Sequence, residues 1–464
     1  MTTVDARVNA ALAALLAGGR VERLLVAFSG GLDSTVLLCL AREFATTRGL
    51  GVGAVHVDHG LHADSAQWAR QCVASAAADG IVCDVERLVG APAAAASIEA
   101  WARDQRYRVL SDYADAQTLV LTAHHEDDQT ETVLQRVLSG AGPHGLAAMR
   151  PRRRLGRGWL ARPLLGVTRA ELQSVAAARG LTWIDDPANH DARYLRNRIS
   201  TVLLPALERV YPGARAGLLR LASIQGEVAA LVDGLCDQVL AQDGLPAHCL
   251  RAASVRATAA PLRPFLLKRW LVRAGAPVPG GRQLLRMLTE VVEANDDATP
   301  RVSWGDCAVR RYAGDLYLTA AQWAPRPGAL QWQLPQPLDL PWGRLQIRFV
   351  TGTGSELDAA KLAALPLRVD FRQGGERLQL PRHGHRQALK KLFQQWQVPV
   401  WERALLPLIY LDDRLAAVAD RAVGAEFIAA PGASAAVLAW TWTIYPQAGV
   451  SSAATLSRAC ASAR

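Results

Sequence analysis

A glycine-rich turn near the start of the chain carries the residues best suited to bind an anion. Its sequence is Ser29-Gly30-Gly31-Leu32-Asp33-Ser34, between the apolar runs 24–28 and 35–40. This order predicts a buried strand, a tight turn and the first turn of a helix. Adjacent glycines let the backbone approach a ligand closely, and the free N–H groups of a helix start favour an anion. An aspartate at such a place is consistent with a Mg²⁺ ion bound together with a phosphate.

The turn differs from a Walker phosphate loop. No Gly-Lys-Ser or Gly-Lys-Thr occurs in the chain, and its first lysine is Lys268. We therefore expect the phosphate contacts to come from backbone amides and from the hydroxyls of Ser29 and Ser34.

An acidic cluster follows a later predicted strand. Its sequence is His124-His125-Glu126-Asp127-Asp128-Gln129-Thr130-Glu131. Asp127 and Asp128 are four and three residues from Glu131, so either pair shares one face of a helix. Acidic residues are also common at helix starts, where the helix dipole favours them. Beside a phosphate loop, such carboxylates could hold a cationic substrate, or they could hold Mg²⁺ with Asp33, Asp127 and Asp128 as the candidate ligands.

Two arginine-bearing segments could contact phosphates. Arg103 and Arg106 share a face of one predicted helix, and Arg196 lies in the amphipathic segment 193–199. Arginine matches phosphate oxygens bidentately. A solvated basic helix face is the alternative interpretation for both segments.

Strand and helix signals alternate over residues 1–185. The predicted strands are 24–28, 52–57, 81–88 and 118–122, and the predicted helices are 33–44, 64–78, 97–114 and 127–138. Such alternation implies a parallel sheet covered on both faces, with ligands beyond the carboxyl ends of its strands. The glycine turn, Asp58-His59 and His124-His125 all follow predicted strands, so we expect them at one edge of the sheet.

The rest of the chain is less regular. We predict a basic loop at 150–154, helices over 194–242, a mixed region at 248–319, a proline-rich linker at 325–341 and a strand-rich region at 345–444. Residues 372–377 predict a hairpin turn. Basic residues alternate with Phe393 and Trp396 in the segment 382–396, a pattern that suits RNA.

Composition limits the class of protein. A chain of 464 residues with 50% hydrophobic and 20% charged residues indicates a soluble globular protein of two or three domains. Its net charge of +10 favours a polyanionic partner or a solvated basic surface. The seven cysteines form no Cys-x-x-Cys pair. No apolar run approaches the about 18 residues of a membrane span, and no signal layout begins the chain, so we expect a cytoplasmic protein without membrane contact.

Taken together, the motifs resemble the tRNA(Ile)-lysidine synthetase branch of the PP-loop ATP pyrophosphatase family. The similarity rests on SGGLDS, VDHGL, ARDQRY, TAHHEDDQTET and DDPANHDARYLRNRI, and on the C-terminal RQGGERL and ALKKLFQQWQVPVWER. It implies an α/β fold class: a parallel-sheet PP-loop (adenine nucleotide alpha hydrolase-like) catalytic domain at 1–212. Two smaller C-terminal α+β domains that bind tRNA would follow at 213–325 and 340–446.

The resemblance also implies a reaction. ATP would adenylate the carbonyl oxygen on carbon 2 of the wobble cytidine in a tRNA(Ile) with a CAU anticodon. Free L-lysine would then displace AMP to give lysidine, which switches codon reading from AUG to AUA. By the same resemblance, residues 29–34 bind ATP, Asp128 and Glu131 recognise lysine, and Asp33, Arg103, Arg106 and Arg196 belong to the catalytic site.

Three places depart from the family pattern. Ala188 stands where the family has serine, Ser139-Gly140-Ala141-Gly142 replaces Arg-Gly-Ser-Gly, and Ser200 replaces an arginine. Alternative functions are a tRNA thiolase of the superfamily, a small-molecule PP-loop ligase and a non-catalytic RNA-binding protein with a relict fold. The lack of a Cys-x-x-Cys pair argues against the thiolase. The basic C-terminal region argues against the small-molecule ligase, and the intact glycine turn argues against the relict fold.

Overall fold

The computed structural model describes residues 3–17, 20–88, 90, 98–185, 195–295, 298–381 and 383–443. The chain forms two compact units, Met1–Leu231 and Val232–Arg464. The predicted division into three domains stays a prediction. The motif at 186–194, with the departure at Ala188, lies outside the described residues, as do Arg382 and the predicted tail from Gln447.

A six-stranded sheet forms the centre of the first unit. Its strands are β1 (Arg23–Ala27), β2 (Gly51–Asp58), β3 (Val82–Arg87), β4 (Thr118–Leu121), β5 (Arg152–Leu155) and β6 (Gly158–Ala161), in the order β3-β2-β1-β4-β6-β5. Neighbours from β3 to β6 are parallel, and β5 is an antiparallel edge strand. The carboxyl ends of β1, β2 and β4 therefore lie at one edge of the sheet, as the sequence predicts.

Helices cover both faces of this sheet. They are α1 (Thr3–Leu16), α2 (Leu32–Thr46), α3 (Ser65–Ala78), α4 (Ile98–Tyr113), α5 (Glu126–Leu138), α6 (Pro143–Leu146), α7 (Arg169–Ala178), α8 (Leu195–Arg198) and α9 (Leu204–Val210). Leu24 packs with residues of α1, α2 and α7 on one face. Leu25 packs with Leu110 of α4 on the other. Burial on both faces explains why residues 24–27 of β1 are all apolar.

Two features of the first unit differ from the sequence-based prediction. The segment 150–154 is not a loop, because Arg152–Leu155 pairs with β6 as an edge strand. Arg152 and Arg154 lie over the Trp159 ring, each 4.1 Å from its centroid, which holds charged side chains on a strand. Charged edge strands also resist pairing with other chains. The helix α1 was not predicted; its Val8 and Leu12 are fully buried.

The second unit begins within the long helix α10 (Ala214–Asp243), which starts in the first unit. Its first part contains α11 (Ala252–Ala257), α12 (Arg263–Arg273), α13 (Gly281–Arg286) and the strands β7 (Cys249–Arg251), β8 (Arg301–Trp304), β9 (Cys307–Tyr312) and β10 (Asp315–Ala320). The strands form an antiparallel sheet in the order β7-β10-β9-β8. Trp270 and Leu316 lie in the core between the helices and this sheet.

The last part of the chain is strand-rich, as predicted. Its elements are β11 (Leu330–Gln331), β12 (Leu338–Leu340), β13 (Gly343–Thr351), β14 (Leu357–Asp358), α14 (Ala359–Ala364), β15 (Leu367–Asp370), β16 (Arg377–Leu378), β17 (Gln387–Ala388), α15 (Leu389–Gln395), β18 (Leu408–Leu411), β19 (Arg414–Val418), β20 (Ala422–Val423) and β21 (Ser434–Trp442). The sheet orders are β11-β15-β18-β19-β20, β12-β13-β21-β14 and β16-β17. Trp342 and Phe371 lie in the core of this part.

Three predictions for this region are wrong. The proline-rich segment 325–341 is not a simple linker, because it contributes two strands and buries Trp332. Residues 372–377 do not join paired strands: β15 pairs with β11 and β18, whereas β16 pairs with β17. Phe393 is fully buried in the core and Trp396 packs against it at 6.1 Å between ring centroids, so Phe393 cannot stack on RNA bases.

No helix in the described ranges is both long enough and apolar enough to cross a bilayer.

Candidate active site

The glycine turn follows β1 directly, and Gly31 is the N-cap of α2. Gly30 has a φ of +80°, and a Cβ atom there would lie 2.7 Å from both Cys72 Sγ and Ile184 Cδ1. Only glycine fits this position, since both its backbone conformation and its surroundings exclude a side chain. The backbone of the turn thereby packs closely against α3 and residue 184, which fixes its shape.

The start of α2 is open to an anion. No side chain caps it, so its first N–H groups depend on solvent or a ligand. The hydroxyls of Ser29 and Ser34 lie 3.1 Å apart beside it. Ser34 also donates to the carbonyl oxygen of Gly31 at 3.0 Å. These contacts hold two hydroxyls next to the free amides, which is an arrangement suited to phosphate oxygens.

His125 joins the glycine turn to the acidic helix α5. Its Nε2 lies 3.5 Å from Asp33 Oδ2 and 3.6 Å from Asp128 Oδ2, and its Nδ1 lies 3.5 Å from Asp127 Oδ2. Burial disfavours a charged ring, but the nearby carboxylates of Asp127, Asp33 and Asp128 outweigh it. They raise the pKa of His125 to about 10. A protonated imidazole thus compensates carboxylates from two separate elements.

The Asp127 carboxylate also contacts groups that the sequence did not indicate. Burial would raise the pKa of its carboxyl, yet the nearby His125 ring, the hydrogen bond from the Arg169 amide and the charge of Arg215 lower it strongly. The Arg169 amide donates at 2.9 Å, and Arg215 forms an ion pair with the same carboxylate. Arg215 lies on α10, 88 residues along the chain, so no local pattern could have revealed it.

Asp128 and Glu131 form a buried acidic pair on one face of α5, as their spacing predicts. The guanidinium of Arg196 contacts both: its Nε donates to Glu131 Oε2 at 2.6 Å, and its Nη2 donates to Asp128 Oδ1. Burial raises the pKa of Glu131, and Arg196 partly offsets that rise. The pair is therefore a cation site, with an arginine as its cation in this structure.

The two arginines of α4 lie near the same edge. Arg106 donates to His59 Nε2 at 3.1 Å, and the Arg103 guanidinium lies 5.2 Å from the centroid of the Tyr107 ring. Burial and the Arg106 charge lower the pKa of His59 to about 4. Burial also lowers the pKa of His124, to about 3, although Asp128 opposes it. Both imidazoles are thus neutral at pH 7.

The predicted Mg²⁺ ligands Asp33, Asp127 and Asp128 all face His125. Among the residues that the structure describes, no group of three or more His, Cys, Asp or Glu side chains is arranged to hold a metal ion. Asp33 Oδ1 is buried without a hydrogen-bond partner, which leaves one carboxylate oxygen that a cation could satisfy. Asp33 therefore fits a Mg²⁺ ligand best, and the roles of Asp127 and Asp128 as ligands stay predictions.

Family models match three parts of the chain. The family model of the PP-loop domain matches residues 4–207, that of the TilS substrate binding domain matches 250–317, and that of the TilS substrate C-terminal domain matches 367–440. Among solved structures, the U34-tRNA thiolase NcsA from Methanococcus maripaludis has a TM-score of 0.40 and 17% identity, over 47% of this chain and 77% of its own.

Curated relatives cover most of the chain. The tRNA(Ile)-lysidine synthase of Xanthomonas campestris pv. campestris (strain 8004) is 38% identical over 419 residues, 90% of this chain and 94% of its own length. The tRNA(Ile)-lysidine synthase of Methylococcus capsulatus is 38% identical over 429 residues, 90% of this chain and 95% of its own length. The glycine turn on a parallel sheet defines an ATP-using enzyme of the PP-loop class. Within that class, the chain belongs to the tRNA(Ile)-lysidine synthase family.

Proposed function

We propose that this protein is an ATP-dependent ligase that joins L-lysine to carbon 2 of the wobble cytidine in a tRNA(Ile) with a CAU anticodon. The products are lysidine, AMP and pyrophosphate, and the modified tRNA reads AUA instead of AUG. One observation carries the proposal: a glycine turn suited to phosphate and a buried carboxylate pair meet at the same sheet edge, joined through His125. Membership of the family supports it.

The first step is adenylation of the cytidine. The oxygen on carbon 2 attacks the α-phosphorus of ATP, a P–O bond forms, and pyrophosphate leaves with the electron pair of the broken P–O bond. The free amides of α2 and the Ser29 and Ser34 hydroxyls would hold the phosphates. Mg²⁺ would be held by Asp33, with Asp127 and Asp128 as further candidates, and it would neutralise phosphate charge.

The second step is substitution by lysine. The ε-ammonium first gives up a proton to water, and the resulting amine attacks carbon 2. The C–N bond forms with release of a further proton from the nitrogen, the C–O bond breaks, and AMP leaves as a far better leaving group than a ring oxygen. Free lysine carries an ε-ammonium with a pKa near 10.4, so its deprotonation at pH 7 costs about 4–5 kcal/mol. Asp128 and Glu131 supply two buried carboxylates that suit an ammonium group of lysine. Binding there would position the substrate next to the adenylated base.

Incubation with ATP, radiolabelled lysine and a CAU-anticodon tRNA(Ile) tests this function directly. We expect label in the tRNA together with equimolar AMP and pyrophosphate. Asp33→Ala should abolish tRNA-dependent exchange of pyrophosphate into ATP. Formation of ADP, or absence of label with active full-length protein, would contradict the proposal. Sulfur incorporation in place of lysine would indicate a tRNA thiolase.

A further inference from the structure

We propose that three arginines around Tyr107 form a binding subsite for a phosphodiester of the RNA backbone, next to the reacting nucleotide. The Tyr107 arginine cluster consists of Arg103 and Tyr107 on α4, Arg153 on β5 and Arg162 just after β6. The inference rests on the proposed function, because it takes RNA as the substrate. Neither Arg153 nor Arg162 was singled out as a site residue by the sequence.

Strand alternation selects Arg153 for this cluster. In the run 152–154, Arg152 and Arg154 both lie over the Trp159 ring. Arg153 points to the other face, where its guanidinium lies 4.4 Å from the centroid of the Tyr107 ring. Arg103, one turn before Tyr107 on α4, lies over the same ring at 5.2 Å. One phenol ring therefore contacts two guanidinium groups from separate elements.

Arg162 adds a third positive charge from a buried position. The residue is only 5% exposed, its charge acts on the Tyr107 hydroxyl, and its Nη1 donates to the Arg150 carbonyl oxygen at 2.8 Å. Its buried Nε has no hydrogen-bond partner. A buried guanidinium is costly unless its donors and its charge are both satisfied. Here its partners are a phenol and a carbonyl, which leave the charge uncompensated.

The cluster lacks counter-charges. Within the described ranges, Arg103, Arg153 and Arg162 form no ion pair with a carboxylate. Elsewhere in the first unit a part-buried arginine has such partners: Arg179 pairs with Asp5 at 2.9 Å and Glu43 at 2.6 Å. Three uncompensated guanidiniums in one place favour an anionic ligand, and their planar donors match phosphate oxygens.

Position distinguishes the RNA backbone from the triphosphate of ATP. The glycine turn follows β1, and Arg162 follows β6, two strands away in the order β1-β4-β6. Neighbouring strands lie about 4.8 Å apart, so the cluster is centred roughly 10 Å along the sheet edge from the turn. The positive charges of Arg162 and Arg103 nevertheless act on His124, directly beside the acidic helix. This is the neighbourhood expected for the nucleotide that receives lysine.

The full-length Arg153→Ala variant tests the subsite, with Arg154→Ala as a matched control of equal charge change on the opposite face. We expect Arg153→Ala to raise the Kd for a CAU-anticodon tRNA(Ile) transcript about tenfold or more. The slope of log K against log salt should decrease by roughly one unit. The Kd for ATP without RNA should stay within twofold, and Arg154→Ala should change neither. Arg153→Lys, which keeps the charge, should recover part of the affinity.

Three outcomes would overturn the inference. A raised Kd for ATP with an unchanged Kd for tRNA would assign the cluster to the triphosphate. Equal losses of tRNA affinity in Arg153→Ala and Arg154→Ala would indicate a general effect of positive surface charge rather than a specific binding site. No change in either variant, with unchanged Tm, would remove the site altogether. Lysine incorporation by the unmodified protein is measured separately, so a failed proposed function and a failed subsite are distinguishable.

Discussion

Arg196 donates its Nε to Glu131 Oε2 at 2.6 Å, in the position where an ammonium group of lysine would bind if the acidic pair recognises it. The same guanidinium contacts Asp128. A lysine that enters this pair must therefore share the carboxylates with Arg196 or displace it. Two buried carboxylates without a cation would be costly, and Arg196 supplies a cation to both.

Removal of either carboxylate charge should weaken lysine binding selectively. We expect Asp128→Asn and Glu131→Gln each to raise the KM for lysine about tenfold or more, because hydrogen bonds to charged groups contribute about 1.5–3 kcal/mol. The KM for ATP should change little. Steady-state lysine incorporation measures both. Glu126→Gln, on the same helix, is the control, and a normal lysine KM in both test variants would remove the assigned role.

Loss of Arg196 should change the pH dependence of lysine use. Burial raises the pKa of Glu131, and Arg196 opposes that rise, so Arg196→Met should raise the pKa further. Fewer molecules would then carry an ionised Glu131 at mildly acidic pH. We expect the acidic limb of the kcat/KM profile for lysine to move to higher pH. Arg198→Met, which removes an exposed arginine of the same short helix, should not move the acidic limb of the profile. If the acidic limb also stays unchanged in Arg196→Met, then Arg196 does not set the pKa of Glu131.

The glycine turn offers a matched pair of substitutions. Gly30→Ala places a Cβ 2.7 Å from two atoms at a positive φ, whereas the nearest atom to a Cβ at Gly31 is 3.6 Å away. We expect Gly30→Ala to lower the free energy of unfolding by about 2–4 kcal/mol and to abolish ATP binding. Gly31→Ala should cost about 1 kcal/mol or less. Urea unfolding measures the free energy of unfolding, and calorimetric titration measures ATP binding. Equal losses of stability in the two variants would refute the steric argument.

Local patterns were sufficient to predict the sheet of the first unit. The strand predicted at 118–122 is β4 at Thr118–Leu121, and the helix predicted at 127–138 is α5 at Glu126–Leu138. Short apolar strands alternate there with helices whose starts are marked by glycine or acidic residues, so each boundary has its own signal. The same spacing rules placed Asp128 and Glu131 on one helix face.

Contacts between distant parts of the chain could not be predicted. Arg196 lies 65 residues from Glu131, and the meeting of His125 with Asp33 depends on how β1 and β4 pair. The proline-rich segment 325–341 is not the linker that its composition predicts, since a burial such as that of Trp332 depends on neighbours elsewhere in the sequence. Local sequence therefore predicts which residues share an element, and tertiary packing decides which charges meet.

His59 should make the protein less stable in mild acid. Its pKa is lowered from 6.5 to about 4 by burial and by the charge of Arg106. The unfolded chain binds the proton first, so His59 favours folding fully above about pH 6.5, and this contribution is lost as pH falls towards 4. Arg106→Gln should raise the pKa of His59 and reduce the loss of stability between pH 7 and 5.

Urea unfolding at both pH values measures this loss of stability, and titration of the His59 ring by NMR measures the pKa. Arg108→Gln, an exposed arginine of α4, should retain the full loss. Because the charge of Arg106 also lowers the pKa of the buried His56, the NMR titration of the His59 ring decides the result, and an unchanged His59 pKa in Arg106→Gln would show that Arg106 does not set it.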